Sequence, residues 1–225
     1  MAIRQNLRVS SKVFRASMAV ALPVGFYGAA FGAASISSGL DLWQTVALSS
    51  LLFSGASQFA IAGVIGGGGS AIAAILASVL LGVRNGFYAL RMAPLMQVKG
   101  IKRLIAAHIT IDEATAVALA QDQEQISSVR KGFWYTGLGV YLFWNLFTIL
   151  GALSASLLED PSKWGLDSAV PAAFLALLWP QLTSRRLRWI ALIAIAMALI
   201  LSPVLASGLP IISVVVIAVI AGWRA

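Results

Sequence analysis

Residues 71–95 read AIAAILASVLLGVRNGFYALRMAPL, an apolar stretch with an arginine near its middle. About 20 residues of helix cross the hydrocarbon core of a bilayer, so this stretch is long enough to span one. The hydrocarbon offers no water to a charged or unpaired group. An ionisable residue kept inside such a segment, here Arg84, by default marks a pathway for a polar solute. The stretch therefore predicts a helical membrane protein with a polar interior.

The composition of the whole chain agrees with that prediction. Of its 225 residues, 60% are hydrophobic and 11% are charged, whereas a soluble domain is about 45–50% apolar and about 25% charged. We therefore expect one integral membrane domain over residues 1–225, with residues 1–16 as a basic cytoplasmic arm. The chain has no cysteine, which excludes disulfides, zinc–thiolate sites and thiol nucleophiles. Its net charge of +8 collects at the ends of apolar segments, which indicates orientation in a membrane and no nucleic-acid partner.

Apolar segments recur along the chain and predict an all-α, polytopic fold of about seven such segments, some of them broken or re-entrant. They cover residues 17–38, 42–65, 71–95, 132–157, 168–182, 189–205 and 209–223, and a less apolar helical segment lies at 104–120. The first follows a basic arm but exceeds the about 7–15 apolar residues of a signal peptide, so we expect a retained transmembrane helix.

The tripeptide Gly-Leu-Asp precedes an apolar run twice, at 39–41 and at 165–167. Because Asp is a good N-cap, each copy predicts a helix start. The repetition also indicates a possible internal repeat, a common feature of secondary transporters.

Clusters of Lys and Arg decide the expected orientation. They lie in the N-terminal arm and at residues 99–103, 130–131 and 185–188, and the positive-inside rule places them and both termini in the cytoplasm. Three full crossings before residue 99 would put that cluster on the wrong side. We therefore expect the second or third segment to re-enter or to break, at the Gly66–Gly69 run or at Arg84-Asn85-Gly86. The segment 104–120 must likewise return to the side it left.

Two groups of small and polar residues are candidates for a substrate pathway. Pro23, Gly25 and Gly28 lie in the first segment, and they predict either close helix packing or an unwound helix whose free backbone groups bind substrate. Ser54, Gly55, Ser57 and Gln58 lie in the middle of the second segment. Their side chains must face protein or water, so they predict either pathway lining or interhelical hydrogen bonds.

Two groups of charged residues are further candidates. Arg84, beside Asn85, predicts either a carboxylate-binding site or a salt bridge to Asp112 or Glu113. His108 and Asp112 are four residues apart, so on one helix they would share a face and could relay protons. The alternative is a solvated helix start with Asp112 and Glu113 in its first turn. No third metal ligand stands at helical spacing, and no G-x-S-x-G or H-E-x-x-H motif is present. We expect no metal, no cofactor and no enzymatic activity.

Five motifs together resemble one family, in their order and spacing. They are Pro23-x-Gly25 followed by Phe31-Gly32, then Gly55-Ala56-Ser57-Gln58-Phe59, Asn85-Gly86-Phe87-Tyr88 ending at Pro94, Thr110-Ile111-Asp112-Glu113, and Gly165-Leu166-Asp167 through Pro171-Ala172-Ala173-Phe174. The chain resembles the AzlC-type family, the large subunits of branched-chain amino acid exporters. That family often carries Asn-x-Arg after its third span, where this chain has Asn85-Gly86-Phe87, so Arg84 is the candidate for the charge. It also often carries Thr-Asp-Glu where this chain has Ile111-Asp112-Glu113.

The resemblance implies export of leucine, isoleucine and valine, and sometimes methionine, across the bacterial inner membrane. It also implies a small hydrophobic partner subunit of the AzlD type. In that picture the substrate lies between the Pro23–Gly28 break and the Gly55–Gln58 stretch, Arg84 or Asn85 assists at its carboxylate, and Asp112 or Glu113 is the protonatable coupling group. The alternatives are a channel or transporter for another small metabolite, an intramembrane enzyme, or a non-enzymatic membrane assembly subunit.

Overall fold

The computed structural model describes residues 2–158, 163, 168–205 and 209–223, and within them it is 83% helical without a strand. The helices are α1 (Ala2–Ser37), α2 (Leu42–Leu51), α3 (Gly55–Gly66), α4 (Ala71–Met96), α5 (Ile101–His108), α6 (Asp112–Leu119), α7 (Ile126–Ser156), α8 (Ala169–Leu178), α9 (Arg185–Leu201), α10 (Leu209–Ser213) and α11 (Val215–Trp223). The Ser10–Ser37 part of α1, α4 and α7 are long and apolar enough to cross a membrane. The all-α class is confirmed, whereas the number of about seven membrane segments is not.

Helices α1 and α7 run parallel and in close contact. The hydroxyls of Ser10 and Tyr135 lie 3.5 Å apart near the start of both helices, and Gly32 lies against the backbone of Thr148 and Ala152 further along. Gly25, Gly28 and Gly151 also face the partner helix so closely that a Cβ would overlap it. Small residues at these positions allow the two backbones to approach, which is typical of membrane helix pairs.

The predicted break at Pro23 is wrong, because α1 continues through Pro23, Gly25 and Gly28 to Ser37. Proline removes one backbone hydrogen bond from a helix. Inside a bilayer a helix accommodates such a loss when neighbouring helices support it, and here α7 packs along the same stretch. Of the two interpretations of these glycines, the structure therefore shows close helix packing.

The second apolar segment is a re-entrant hairpin, which we call the first hairpin (α2–α3). Asp41 caps α2 as predicted: its carboxylate accepts a hydrogen bond from the Gln44 backbone N–H at 2.8 Å. α2 ends at Leu51, residues 52–54 are not helical, and α3 then returns. The start of α2 and the end of α3 both lie beside the C-terminal end of α1, because the hydroxyls of Thr45 and Ser35 are 2.7 Å apart and Gly66 lies against Ser38. The glycine run 66–69 forms the turn into α4, so the break inside the segment lies at 52–54.

Helix α4 is unbroken, so the predicted interruption at Arg84-Asn85-Gly86 is wrong. No residue of that tripeptide requires a non-helical backbone, and Ser70 caps the helix start by accepting from the Ala73 N–H at 3.2 Å. α4 is therefore long enough to cross a membrane completely, whereas each arm of the preceding hairpin is less than half as long.

The C-terminal end of α4 lies at the N-terminal end of α7. The guanidinium of Arg130 donates to the Leu95 carbonyl at 2.9 Å and to Gln97 Oε1 at 3.0 Å. The cluster at 99–103 thus lies at the same end of the molecule as residues 130–131 and the start of α1, and we call this the basic end. This arrangement agrees with the prediction that one segment must re-enter.

The segment 104–120 is a second hairpin (α5–α6), which enters from the basic end. α5 stops at His108, residues 109–111 are not helical, and α6 starts at Asp112. Ile109 at the tip packs against Gly137 of α7, while Ala118 on the returning arm lies against Gly132, nearer the start of α7. The segment therefore returns to the side it left, as predicted. The Gly-Leu-Asp copy at 165–167 lies outside the described residues.

Candidate functional site

The tips of the two hairpins meet beside the middle of α4 and enclose a cavity of about 330 Å³, the central cavity. Its walls come from α1, both hairpins, α4, α7 and α8. The lining residues are Pro23, Val24, Tyr27, Phe53, Ser54, Gly55, Ala56, Phe59, Arg84, Asn85, Ile111, Asp112, Glu113, Val140, Trp144 and Ala176. Arg84 lies halfway along α4, so the cavity is at the depth of the bilayer centre if α4 spans it.

One wall of the central cavity is charged. Arg84 Nη1 lies 3.5 Å from Asp112 Oδ2, and the two side chains are 39% and 41% exposed, so the ion pair is open to the cavity. Glu113 follows Asp112 in the same wall. Both side chains of the pair are only half-buried, so this is not a fully buried salt bridge. Of the two interpretations of Arg84, the structure shows the salt bridge to Asp112, and the carboxylate-binding site stays a prediction.

Two polar atoms in this wall are buried without a hydrogen-bond partner: the Arg84 Nε donor and the Asn85 Oδ1 acceptor. Burying such a group unpaired costs about 1–3 kcal/mol. Both atoms are closed off from the cavity space, so a ligand would reach them only if the surrounding side chains moved.

Two helices begin at the central cavity, α3 at Gly55 and α6 at Asp112. The first backbone N–H groups of a helix have no intrahelical partner and carry partial positive charge. Neither Ser54 nor Ile111, the residues at the two N-caps, supplies a side-chain hydrogen bond. The amide groups of α3 are thus available to an anion, as at the broken helices of many transporters, whereas Asp112 and Glu113 already place two carboxylates in the first turn of α6.

The opposite wall is apolar and aromatic. Tyr27 and Phe59 contact each other with ring centroids 5.9 Å apart, and Val24, Val140 and Trp144 complete the surface. A ligand in the cavity would therefore have a polar end at Arg84 and Asp112 and an apolar end at these side chains.

Gln58 and Ser57 lie behind the cavity wall and are fully buried. Gln58 Nε2 donates to the Leu48 carbonyl at 3.2 Å, and its Oε1 accepts from the indole N–H of Trp144 at 2.9 Å. Ser57 donates to the Ser78 carbonyl at 2.9 Å. Of the predicted group, Ser54 and Gly55 line the cavity, whereas Ser57 and Gln58 make the interhelical hydrogen bonds of the alternative interpretation.

His108 and Asp112 do not form the predicted pair, because the helix breaks between them. His108 Nε2 lies 2.8 Å from the Ser50 carbonyl, and the ring packs against Phe53 and Tyr141. The imidazole thus connects the second hairpin to the first, and it is not among the lining residues. Gly25 and Gly28 also lie away from the cavity, in the α1–α7 contact, while Pro23 lines it.

A model of the AzlC family, described as AzlC protein, matches residues 19–158. The match includes both hairpins, all of α4 and every charged residue of the central cavity. The chain belongs to the AzlC family. No curated protein and no solved structure matches it. AzlC proteins are associated with membrane transport, which agrees with the three long apolar helices and with a polar cavity at mid-depth.

Sequence reasoning missed the apolar wall of this AzlC protein. Tyr27 is more than a hundred positions away from Val140 and Trp144 along the chain, and periodicity alone does not show which apolar side chains face a cavity. Trp144 carried a usable signal, because an indole N–H in the middle of an apolar span needs a nearby acceptor. Among the described residues, no three His, Asp or Glu side chains lie close enough to hold a metal ion.

Proposed function

We propose that this AzlC protein exports leucine, isoleucine and valine, with methionine as a further candidate, across the bacterial inner membrane. It would act as the large subunit of a two-component permease. The observation that supports this proposal is the central cavity, in which the part-exposed ion pair of Arg84 and Asp112 lies opposite an apolar wall. A branched-chain amino acid has the matching parts: a carboxylate, an ammonium group and an apolar side chain.

Each part of the substrate finds a chemically suitable group. The carboxylate binds the part-exposed guanidinium of Arg84 and the free amide groups at the start of α3. The ammonium group donates to the carboxylates of Asp112 and Glu113. The side chain packs against Val24, Tyr27 and Val140. A volume of about 330 Å³ is at the small end of ligand sites, which run from about 300 to about 1,000 Å³.

Glu113 is the proposed proton-coupling group. With Asp112 and Glu113 both ionised, one guanidinium faces two carboxylates, and the wall carries a net negative charge. Asp112 already pairs with Arg84, so uptake of one proton by Glu113 balances the wall. A zwitterionic substrate brings no net charge into this wall. Its movement can therefore be coupled to the proton on Glu113. His108, outside the lining, has no part in this scheme.

The small AzlD-type subunit and the orientation also belong to the proposal. The basic end would lie in the cytoplasm, together with both termini. A long apolar face of α4 is exposed, including Ile72, Val79 and Val83, and it is available to lipid or to a small hydrophobic subunit. Efflux measured with and without co-expression of the small subunit tests whether that partner is required.

The substrate is tested by leucine efflux from preloaded proteoliposomes, comparing Arg84→Gln with Arg91→Gln. Both arginines lie on α4, but Arg91 does not line the central cavity. Loss of one charge-assisted hydrogen bond costs about 1.5–3 kcal/mol, so Arg84→Gln should weaken leucine binding about 10- to 100-fold. Arg91→Gln should leave it unchanged. Equal behaviour of the two variants, or efflux of other small metabolites but not of leucine, would contradict the proposal.

Coupling is tested by imposing a pH gradient on the same vesicles, with Glu113→Gln and the exposed loop variant Glu124→Gln as its control. Glu113→Gln should keep leucine exchange but lose the response of net efflux to the gradient, because the exchanging proton site is gone. A Glu113→Gln protein that still follows the gradient would show that the proton site lies elsewhere.

A further inference from the structure

A second cavity, of about 800 Å³, lies at the basic end. It is bounded by the C-terminal half of α4, by α5 and by Phe133 of α7, and two cations, Lys99 and Arg103, stand among its lining residues. The central cavity and this one share no lining residue.

The two cavities follow one another along a single face of α4. Asn85 lines the central cavity, and Ala89, Met92 and Met96 line the second. Their spacings of four, three and four residues place all four side chains on the same helical stripe. A solute leaving the site at Asn85 along this stripe would pass directly into the second cavity.

The tip of the second hairpin separates the two cavities. Ile111 lines the central cavity, and the preceding residue, Thr110, lines the second. The tip is closely packed, with Ile109, Thr110 and Ile111 only 2%, 4% and 5% exposed. Ile109 lies against Gly137, where an added Cβ would come within 2.9 Å of Ile109 Cδ1. A partition of three residues thus blocks an otherwise continuous route.

The connection from α4 to this hairpin contains two residues with left-handed backbone angles. Gln97 has φ 51° and Gly100 has φ 56°. A short connection of this kind lets α5 and α6 move as a unit, because hinges are a few element-terminal residues that absorb changes in φ and ψ.

We propose that the second cavity is the inner vestibule of the transport pathway and that residues 109–111 are the gate between it and the central cavity. Lys99 and Arg103 make the vestibule attractive to carboxylates, because like charges lining a cleft concentrate ions of opposite sign. The assignment rests on the proposed function for the identity of the solute. The geometry of vestibule and gate can be tested without any substrate.

Thiol labelling tests the vestibule cleanly, because the chain has no cysteine of its own. Ala89→Cys places a thiol in the second cavity, and Phe87→Cys places one at similar depth on the opposite, exposed face of α4. A membrane-impermeant maleimide added at the basic end should label Ala89→Cys and leave Phe87→Cys unlabelled. Equal labelling of the two overturns the vestibule, and so does labelling of Ala89→Cys by a membrane-permeant maleimide only, since lipid would then fill the cavity.

Charge and gate are tested with the same reagents. A negatively charged maleimide should label Ala89→Cys about 10-fold more slowly once Lys99 and Arg103 are both replaced by Gln, while a neutral one is unaffected. Val24→Cys in the central cavity should resist labelling from the basic end and become reactive when Ile111→Ala is added. Gly137→Ala, which displaces Ile109, is a second way to open the gate.

Reactivity of Val24→Cys that is the same alone, with Ile111→Ala and with Gly137→Ala contradicts the assignment of residues 109–111 as the gate. Absence of leucine efflux together with the expected labelling would retain the vestibule and reject the proposed substrate, so the two proposals fail separately.

Discussion

The side chain of Gln58 illustrates what a buried amide does in this protein. It joins three helices, because it accepts from Trp144 on α7 and donates to the Leu48 carbonyl on α2 while belonging to α3. These bonds hold the first hairpin against α7 immediately behind the central cavity. We therefore interpret Gln58 as a positioning residue, although its sequence context suggested contact with the substrate.

Gln58→Leu should lower the free energy of unfolding by about 1–3 kcal/mol, because it leaves the buried Trp144 indole N–H without its acceptor. Thermal unfolding in detergent measures the effect. Gln123→Leu is the control, since Gln123 is exposed and bonds only to nearby backbone carbonyls. A Gln58→Leu protein that unfolds like the parent but no longer binds leucine would make Gln58 a direct ligand instead.

At the scale of the element, the pairing of α1 with α7 depends on glycine. Gly32 lies against the Thr148 carbonyl, and Gly151 lies against the backbone of Ala29, so each helix packs a glycine against the backbone of the other. The two helices carry Pro23, Tyr27, Val140 and Trp144 into the central cavity. Their separation therefore sets the width of the apolar wall.

Gly32→Ala should destabilise the protein and change leucine affinity, because its Cβ would overlap the backbone of α7. Gly86→Ala is the matched control: it lies in the interior of α4 with open space around it, and alanine there should stabilise the helix by up to about 1 kcal/mol. Unfolding temperatures of the two variants give the comparison. Similar stability gains from both substitutions would show that α1 and α7 are less closely packed than the structure has them.

At the scale of the whole molecule, the two hairpins enter from opposite ends and meet at His108 and Ser50. Each hairpin returns to the end from which it entered. Between the two hairpins, α4 is the helix that runs from one end of the molecule to the other. This arrangement brings the starts of α3 and α6 to one cavity. It also explains how a basic cluster at 99–103 reaches the same side as the N-terminal arm.

Single cysteines at Lys12, Ser70 and Lys102 test this topology in intact cells with an impermeant maleimide. Lys12→Cys and Lys102→Cys should be protected together, and Ser70→Cys, before α4, should be labelled from outside. The physical reason is that the first hairpin returns to the side it entered from. α4 is therefore the helix that brings the chain back to the side of Lys12. Reaction of Lys102→Cys from the side opposite Lys12→Cys would mean that α2 and α3 form a continuous crossing.

Some of this architecture can be predicted from short stretches of the sequence. Segment hydrophobicity indicated a membrane protein and Asp41 indicated the start of α2, because each depends on residues near one another in the chain. The order of short motifs, each of them local, indicated the AzlC family. The requirement for a re-entrant segment also followed, from counting basic clusters. Arg84, Asn85, Asp112 and Glu113 were recognised because charge and amide groups are costly inside apolar segments.

Other features were decided only by tertiary contacts. The helices break at 52–54 and 109–111, where neither proline nor glycine requires it, and not at Pro23 or at Gly86, where composition favoured it. Backbone hydrogen bonds lost at a hairpin tip must be offset by packing against α7 and by exposure to the cavity, and those partners lie far away in the chain. The sequence by itself determined that polar groups lie in the membrane; only the tertiary structure decided which of them share a cavity and which hold its walls, because that depends on the meeting of surfaces distant in sequence.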